Sequence, residues 1–203
     1  MLRKILFILV ISLVVTSPLK AKKGYKYDIS TPIEVDDNEL CSLVAARMEG
    51  KYKIKPHLLQ TISSVETGRW DYNKEKFVPW PWTINANGKG RHFNTKEEAV
   101  AAVKSLQAKG IESIDVGCMQ ISLKYHGNAF NSIEEAFEPE KNVEYSAKFL
   151  RKLYNQRKDW TKAAMAYHSK IPSKGLKYKQ KLINRYEKNK LALANVNANT
   201  SLF

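Results

Sequence analysis

Pro56-His57-Leu58-Leu59-Gln60-Thr61-Ile62-Ser63-Ser64-Val65-Glu66-Thr67-Gly68 is the stretch on which the reading of the fold turns. Pro56 suits a helix start, and Leu58, Leu59, Ile62 and Val65 recur at the spacing of one apolar face. Gly68 ends the helix. Glu66 therefore falls in its last turn, on the face of Leu59 and Ile62. Desolvation by that face and the negative end of the helix both favour a protonated carboxyl, which suits a general acid. An ordinary exposed glutamate near a helix end is the other reading.

Upstream, a helical pattern starts at Asn38, with Leu40, Leu43, Val44 and Met48 on one face. Downstream the texture changes at Phe77-Val78-Pro79-Trp80-Pro81-Trp82, where two prolines forbid a helix. Thr83-Ile84-Asn85, a turn over Ala86 to Gly90 and Arg91-His92-Phe93 predict a small β-hairpin. Thr95 and Glu98 stand at capping-box spacing before Ala99, Val100, Val103 and Leu106, and Gly110 stops that helix. Ile114 to Leu123 is rich in β-branched residues around Gly117 and reads as extended. Helices follow over Ser132–Phe137, Pro139–Tyr154 and Asp159–His168. Pro172 and Gly175 then break the chain before a basic helix over about Leu176–Lys190. The sum is a mainly α single domain over 38–190 with a small β-hairpin insertion.

The two ends read differently. Arg3 and Lys4 precede an apolar run over Ile5–Val15, interrupted only by Ser12, and Leu19-Lys20-Ala21 roughly suits signal-peptidase cleavage. Residues 1–21 are expected to be a signal peptide, with an uncleaved membrane anchor as the alternative. The run is short of the ~20 apolar residues a bilayer span takes. Residues 22–37 read as a linker, and 191–203 as a flexible tail. Export to the periplasm is the expectation.

The full chain of 203 residues carries a formal charge of +14, which falls to +11 when Arg3, Lys4 and Lys20 leave with residues 1–21. At 43% apolar residues it is globular and not disordered. The basic charge favours anionic polymers or plain solubility; no basic run interleaved with aromatics resembles a nucleic-acid module. Two cysteines and four histidines exclude a zinc ribbon or a disulfide-dense miniprotein. His57, His92, His126 and His168 lack metal-ligand spacing, so no metal or cofactor is expected. Cys41 and Cys118 both lie past the signal segment and, in an oxidising compartment, are expected to pair.

Two further stretches carry possible chemistry. Gly117-Cys118-Met119-Gln120-Ile121 places a glycine before a short apolar run, inviting close approach of an elongated ligand that the Gln120 amide would contact. Ala166-Tyr167-His168 closes a helix with an aromatic and an imidazole. Their bland readings are a glycine-permitted turn and a core aromatic.

Taken in order, the three stretches resemble the lytic transglycosylases that share the soluble lytic transglycosylase (SLT) domain, a goose-lysozyme-like fold acting on peptidoglycan. The family's Glu-Ser-Gly stands here as Glu66-Thr67-Gly68, its Gly-Leu-Met-Gln as Gly117-Cys118-Met119-Gln120, and its Ala-Tyr-Asn as Ala166-Tyr167-His168. Pro139-Glu140-Lys141-Asn142-Val143 with Ala147-Lys148-Phe149-Leu150 resembles the family's helix between the second and third motifs. The resemblance spans about 38–188. It departs from the pattern in a long gap between Glu66 and Gly117 and in His168 replacing Asn. Ser113-Ile114-Asp115-Val116-Gly117 is closest to the subgroup associated with secretion and conjugation machines.

The resemblance implies peptidoglycan glycan strands as partner, a monomer, and cleavage of the MurNAc-GlcNAc β-1,4 bond with formation of 1,6-anhydroMurNAc ends. It implies Glu66 as single acid/base and Tyr167 as its orienting hydrogen-bond partner. Met119, Gln120, His168 and Ser113 are then expected to contact the glycan. Trp80 and Trp82 are open between stacking on sugars and core packing. A hydrolytic goose-type lysozyme using Asp71, Glu75 or Asp115 as second acid is the first alternative. A non-catalytic wall-binding component of a secretion machine is the second.

Overall fold

A computed structural model describes residues 36–72, 74 and 76–200. Residues 1–35, which hold the expected signal peptide and most of the expected linker, lie outside the described residues, as do Asn73, Glu75 and residues 201–203. Among the described residues no helix is long and apolar enough to cross a membrane.

Helix α1 (Asp37–Lys51) is capped by Asp36, whose carboxylate accepts from the Asn38 backbone N–H. Helix α2 (Leu58–Thr67) carries the deciding stretch, and Leu59 and Ile62 are fully buried as the periodicity predicts. Its start has no cap of its own: His57 sits in a left-handed conformation without a side-chain bond. Glu49 of α1 supplies the cap. Its buried carboxylate accepts from the backbone N–H groups of His57, Leu59 and Gln60 at 2.8, 2.7 and 3.0 Å. A carboxylate on the exposed N–H groups of a helix start is a strong restraint. It sets the position of the helix that carries Glu66 at its far end.

The chain then forms more sheet than its sequence suggests. Strands β1 (Gly68–Asp71) and β2 (Lys76–Pro79) pair antiparallel directly after α2. β3 (Thr83–Ala86) and β4 (Lys89–His92) make the expected hairpin, closed by Asn87 and Gly88 at positive φ, the pattern of a tight two-residue turn. Following α3 (Lys96–Ala108), β5 (Ile114–Val116) and β6 (Ile121–Ser122) join that hairpin in the order β4-β3-β5-β6. The predicted hairpin insertion is thus half of a sheet whose other strands flank the Gly117 turn.

Four helices complete the domain: α4 (Ile133–Ala136), α5 (Pro139–Arg157), α6 (Trp160–His168) and α7 (Pro172–Thr200). The tail expected to be flexible from 191 is helical as far as Thr200. No Gly or Pro follows Gly175, and Leu191, Ala192, Leu193 and Ala194 are strong helix formers.

Two apolar clusters form the core. One joins α1, α2, α5, α6 and α7 through Leu59, Ile62, Val143, Leu150 and Leu182; the other lines the sheet and α3 through Ile84, Val103, Ile114 and Phe137. Trp80 and Trp82 belong to the second cluster and are buried. Their indole N–H groups donate to the Phe93 carbonyl and to Asp37, so both are core residues.

The Gly117 turn is fixed from several sides. Gly117 adopts φ +77°, and a Cβ there would collide with the Asn142 side-chain amide. The buried Asn142 donates to the Val116 and Ala136 carbonyls and accepts from the Met119 N–H, locking the turn onto α5. Cys118 forms a disulfide with Cys41. Gly117→Ala must meet both the backbone strain and the Asn142 contact, and should cost about 3 kcal/mol of stability, read as a lower denaturant midpoint.

Candidate active site

Helix α2, the sheet and helix α6 deliver their side chains to one cleft of about 330 Å³. Glu66 comes from the last turn of α2, Asn85 from β3, Asp115 from β5, Gln120 from the Gly117 turn, and Tyr167 and His168 from the end of α6. The end of α2 is tied to that turn, because Ser63 and Thr67 hydroxyls both donate to the Cys118 carbonyl, at 2.9 and 3.3 Å. Glu66 and the turn therefore cannot shift independently.

Glu66 is recessed, with 17% of its side chain exposed. Its Oε1 accepts a hydrogen bond from the Tyr178 hydroxyl of α7 at 2.6 Å, and His168 Nδ1 lies 3.9 Å from the same oxygen. Tyr178 is buried; burial, and then the negative charge of Glu66, push its phenol well above the ordinary range, so it stays a donor. The expected orienting partner, Tyr167, does something else. Its hydroxyl donates to the Met119 carbonyl at 2.8 Å and reaches Ser146 Oγ at 3.2 Å. Tyr167 braces the turn against α5, while Tyr178 holds the acid.

The remaining predicted residues divide. Ser113, Gln120, Tyr167 and His168 line the cleft with Glu66. Gln120 contributes less than a free amide would: its Nε2 donates to the Thr83 and Gly117 carbonyls, each at 3.2 Å, and its backbone sits at φ +47°. Met119 is fully buried in the helical core and does not line the cleft; its place in the motif is structural. Ser122, Tyr125, His126 and Phe149 also line the cleft, and no pattern in the sequence marks them as a group. Tyr178 is the chief omission. The buried spacing of Gly175, Tyr178 and Leu182 on α7, with a phenol that needs a partner, is the signal that finds it.

Asp115 is the carboxyl that shares the cleft with Glu66. Burial is the main cause holding its carboxyl above the ordinary range; the charge of Glu66 adds to this, and a hydrogen bond with Ser122 opposes it. A raised carboxyl favours the folded state while protonated, and that contribution is lost as pH rises through its folded value. Asp115→Asn should therefore flatten the decline in stability on the neutral side of the carboxylate range, measured by unfolding across pH. Asp71 lies on β1 and outside the cleft lining. No group of three His, Cys, Asp or Glu among the described residues could hold a metal ion.

A mainly helical domain with a small antiparallel sheet and a recessed carboxyl in the cleft between them is lysozyme-like. The family described as Transglycosylase SLT domain matches residues 95–192. The matched span takes in Gly117–Gln120 and Ala166–His168 and begins after Glu66. Comparison with curated proteins and with solved structures gives no match.

Proposed function

We propose that the chain is an exported peptidoglycan lytic transglycosylase with Glu66 as its single acid/base. The observation that carries this is the placement of Glu66: a recessed carboxyl in the SLT cleft, one oxygen fixed by Tyr178, and Oε2 taking no hydrogen bond from any described residue. Protonated Glu66 gives its proton to the glycosidic oxygen as the bond to C1 breaks. The resulting carboxylate removes the proton of the same sugar's 6-hydroxyl, whose oxygen closes on C1. A 1,6-anhydro ring forms, Glu66 regains its proton, and no water is consumed. An internal nucleophile has the entropic advantage of proximity, so this chemistry needs no second carboxylate.

A second reading, hydrolysis with Asp115 guiding water, is favoured by the presence of Asp115 in the same cleft. Burial and the charge of Glu66 disfavour the ionised Asp115 that this role requires. Export and a periplasmic site are supported by the apolar segment at 5–15 and by the Cys41–Cys118 disulfide, a bond that persists in oxidising compartments. Service to a secretion or conjugation machine rests on the Ser113–Gly117 resemblance. Incubating the protein with purified sacculi tests the activity. Soluble muropeptides are expected; binding without release would instead support a wall-binding component.

A further inference from the structure

The third motif ends in His168 where the resemblance calls for Asn, and the structure gives that departure a partner. The His168 ring lies flat on Tyr178, centroids 4.2 Å apart and planes 2° from parallel. Tyr178 in turn donates to Glu66 Oε1, the same oxygen that faces His168 Nδ1 at 3.9 Å. This separation is beyond a hydrogen bond but within the range where opposite charges bias one another's protonation.

An imidazolium at 168 faces the carboxyls of Glu66 on α2 and Asp115 on β5, and the π face of Tyr178 on α7. On its own helix, Tyr167 turns its hydroxyl to the Met119 carbonyl. The other imidazole of the cleft, His126, is hydrogen-bonded to Tyr145 and pushed towards its neutral form by burial. An asparagine at 168 would offer an amide and no titratable charge.

We propose, resting on the transglycosylase reading of this cleft, that His168 is a positioning residue that makes Glu66 answer to pH. As an imidazolium it holds Glu66 in its carboxylate form against Tyr178. As a neutral imidazole it withdraws that hold. Because Glu66 must carry a proton to open the glycosidic bond, the imidazolium delays its readiness until more acidic conditions. It also stabilises the carboxylate left after proton donation, the form that next removes the 6-hydroxyl proton.

The first arm of the test needs no catalysis. Denaturant unfolding of the full chain is measured for Glu66→Gln, His168→Asn and the double variant at pH 5.5 and pH 8. At pH 5.5 the two substitutions should be non-additive by about three- to tenfold in the folded-to-unfolded ratio, and at pH 8 additive. His168→Phe, which keeps the stack without the charge, serves if Asn loosens the fold. Additivity at both pH values overturns the proposal whether or not the chain cleaves glycans. The second arm is the pH–rate profile on purified sacculi. His168→Asn should move the alkaline limb up by about one pH unit, and His168→Lys should leave it at or below the wild-type position. Slower digestion with an unmoved limb in both variants would make His168 a substrate contact and overturn the proposal. Absence of any wild-type digestion would refute the transglycosylase reading and leave the unfolding cycle to decide on His168.

Discussion

Glu66→Gln should digest sacculi about 10²- to 10⁴-fold more slowly than the wild type, the usual range for loss of a positioned proton donor. The substitution keeps the shape of the side chain. Tyr178 can still donate to the amide oxygen at position 66, so the stack with His168 and the packing of α7 on α2 should survive. What disappears is the group that donates a proton at one step and accepts one at the next. The variant should therefore fold with near wild-type stability and still bind glycan. Digestion at near wild-type rate would remove Glu66 from the mechanism.

Replacing both Cys41 and Cys118 with serine should lower stability by about 4 kcal/mol, the chain-entropy cost of opening a loop of this length. The bond joins residues 77 apart in sequence, and both sulfurs are buried. It ties α1 to the Gly117 turn, and that turn also receives the hydroxyls of Ser63 and Thr67 from α2. A loss of this size is a large part of the net stability of an ordinary domain. Chemical denaturation with and without reductant measures it. Identical midpoints for the oxidised and reduced wild-type chain would show that the crosslink does not stabilise the fold.

Much of this architecture is legible in the sequence because local patterns set it. The Leu58–Val65 stripe, the Thr95 cap and the Asp159 start each become what their spacing predicts. The Asn87-Gly88 turn is equally local. The unread parts depend on partners far away in the chain. Glu49 caps a helix that begins several residues after α1 ends, and nothing in its own helix marks it as buried. β5 and β6 are short, and only pairing with β3 distinguishes them from an irregular loop.

The cleft divides in the same way. Glu66, Gln120, Tyr167 and His168 are brought together as the motif order implies, but their duties are set by packing. The buried Met119 serves through its backbone carbonyl and N–H, which no side-chain reading reveals. Tyr178 lies 112 residues from Glu66, on a helix whose lysines dominate its composition. A phenol on such a helix reads as core until the carboxyl it touches is known.

The most direct test of a single acid/base at Glu66 is the chemistry of the ends it makes. Sacculi digested by the purified protein, separated and weighed by mass spectrometry with and without borohydride reduction, report this in one experiment. Muropeptides should end in 1,6-anhydromuramic acid, lighter by one water than hydrolytic products and unchanged by borohydride. The carboxylate that has lost its proton to the leaving oxygen takes the next one from the sugar itself. Asp115, whose carboxyl is held up by desolvation and then by the charge of Glu66, is not needed as a second carboxylate. Products dominated by borohydride-reducible ends would rule out a single acid/base at Glu66, make the protein a lysozyme, and turn attention to Asp115 as its second carboxylate.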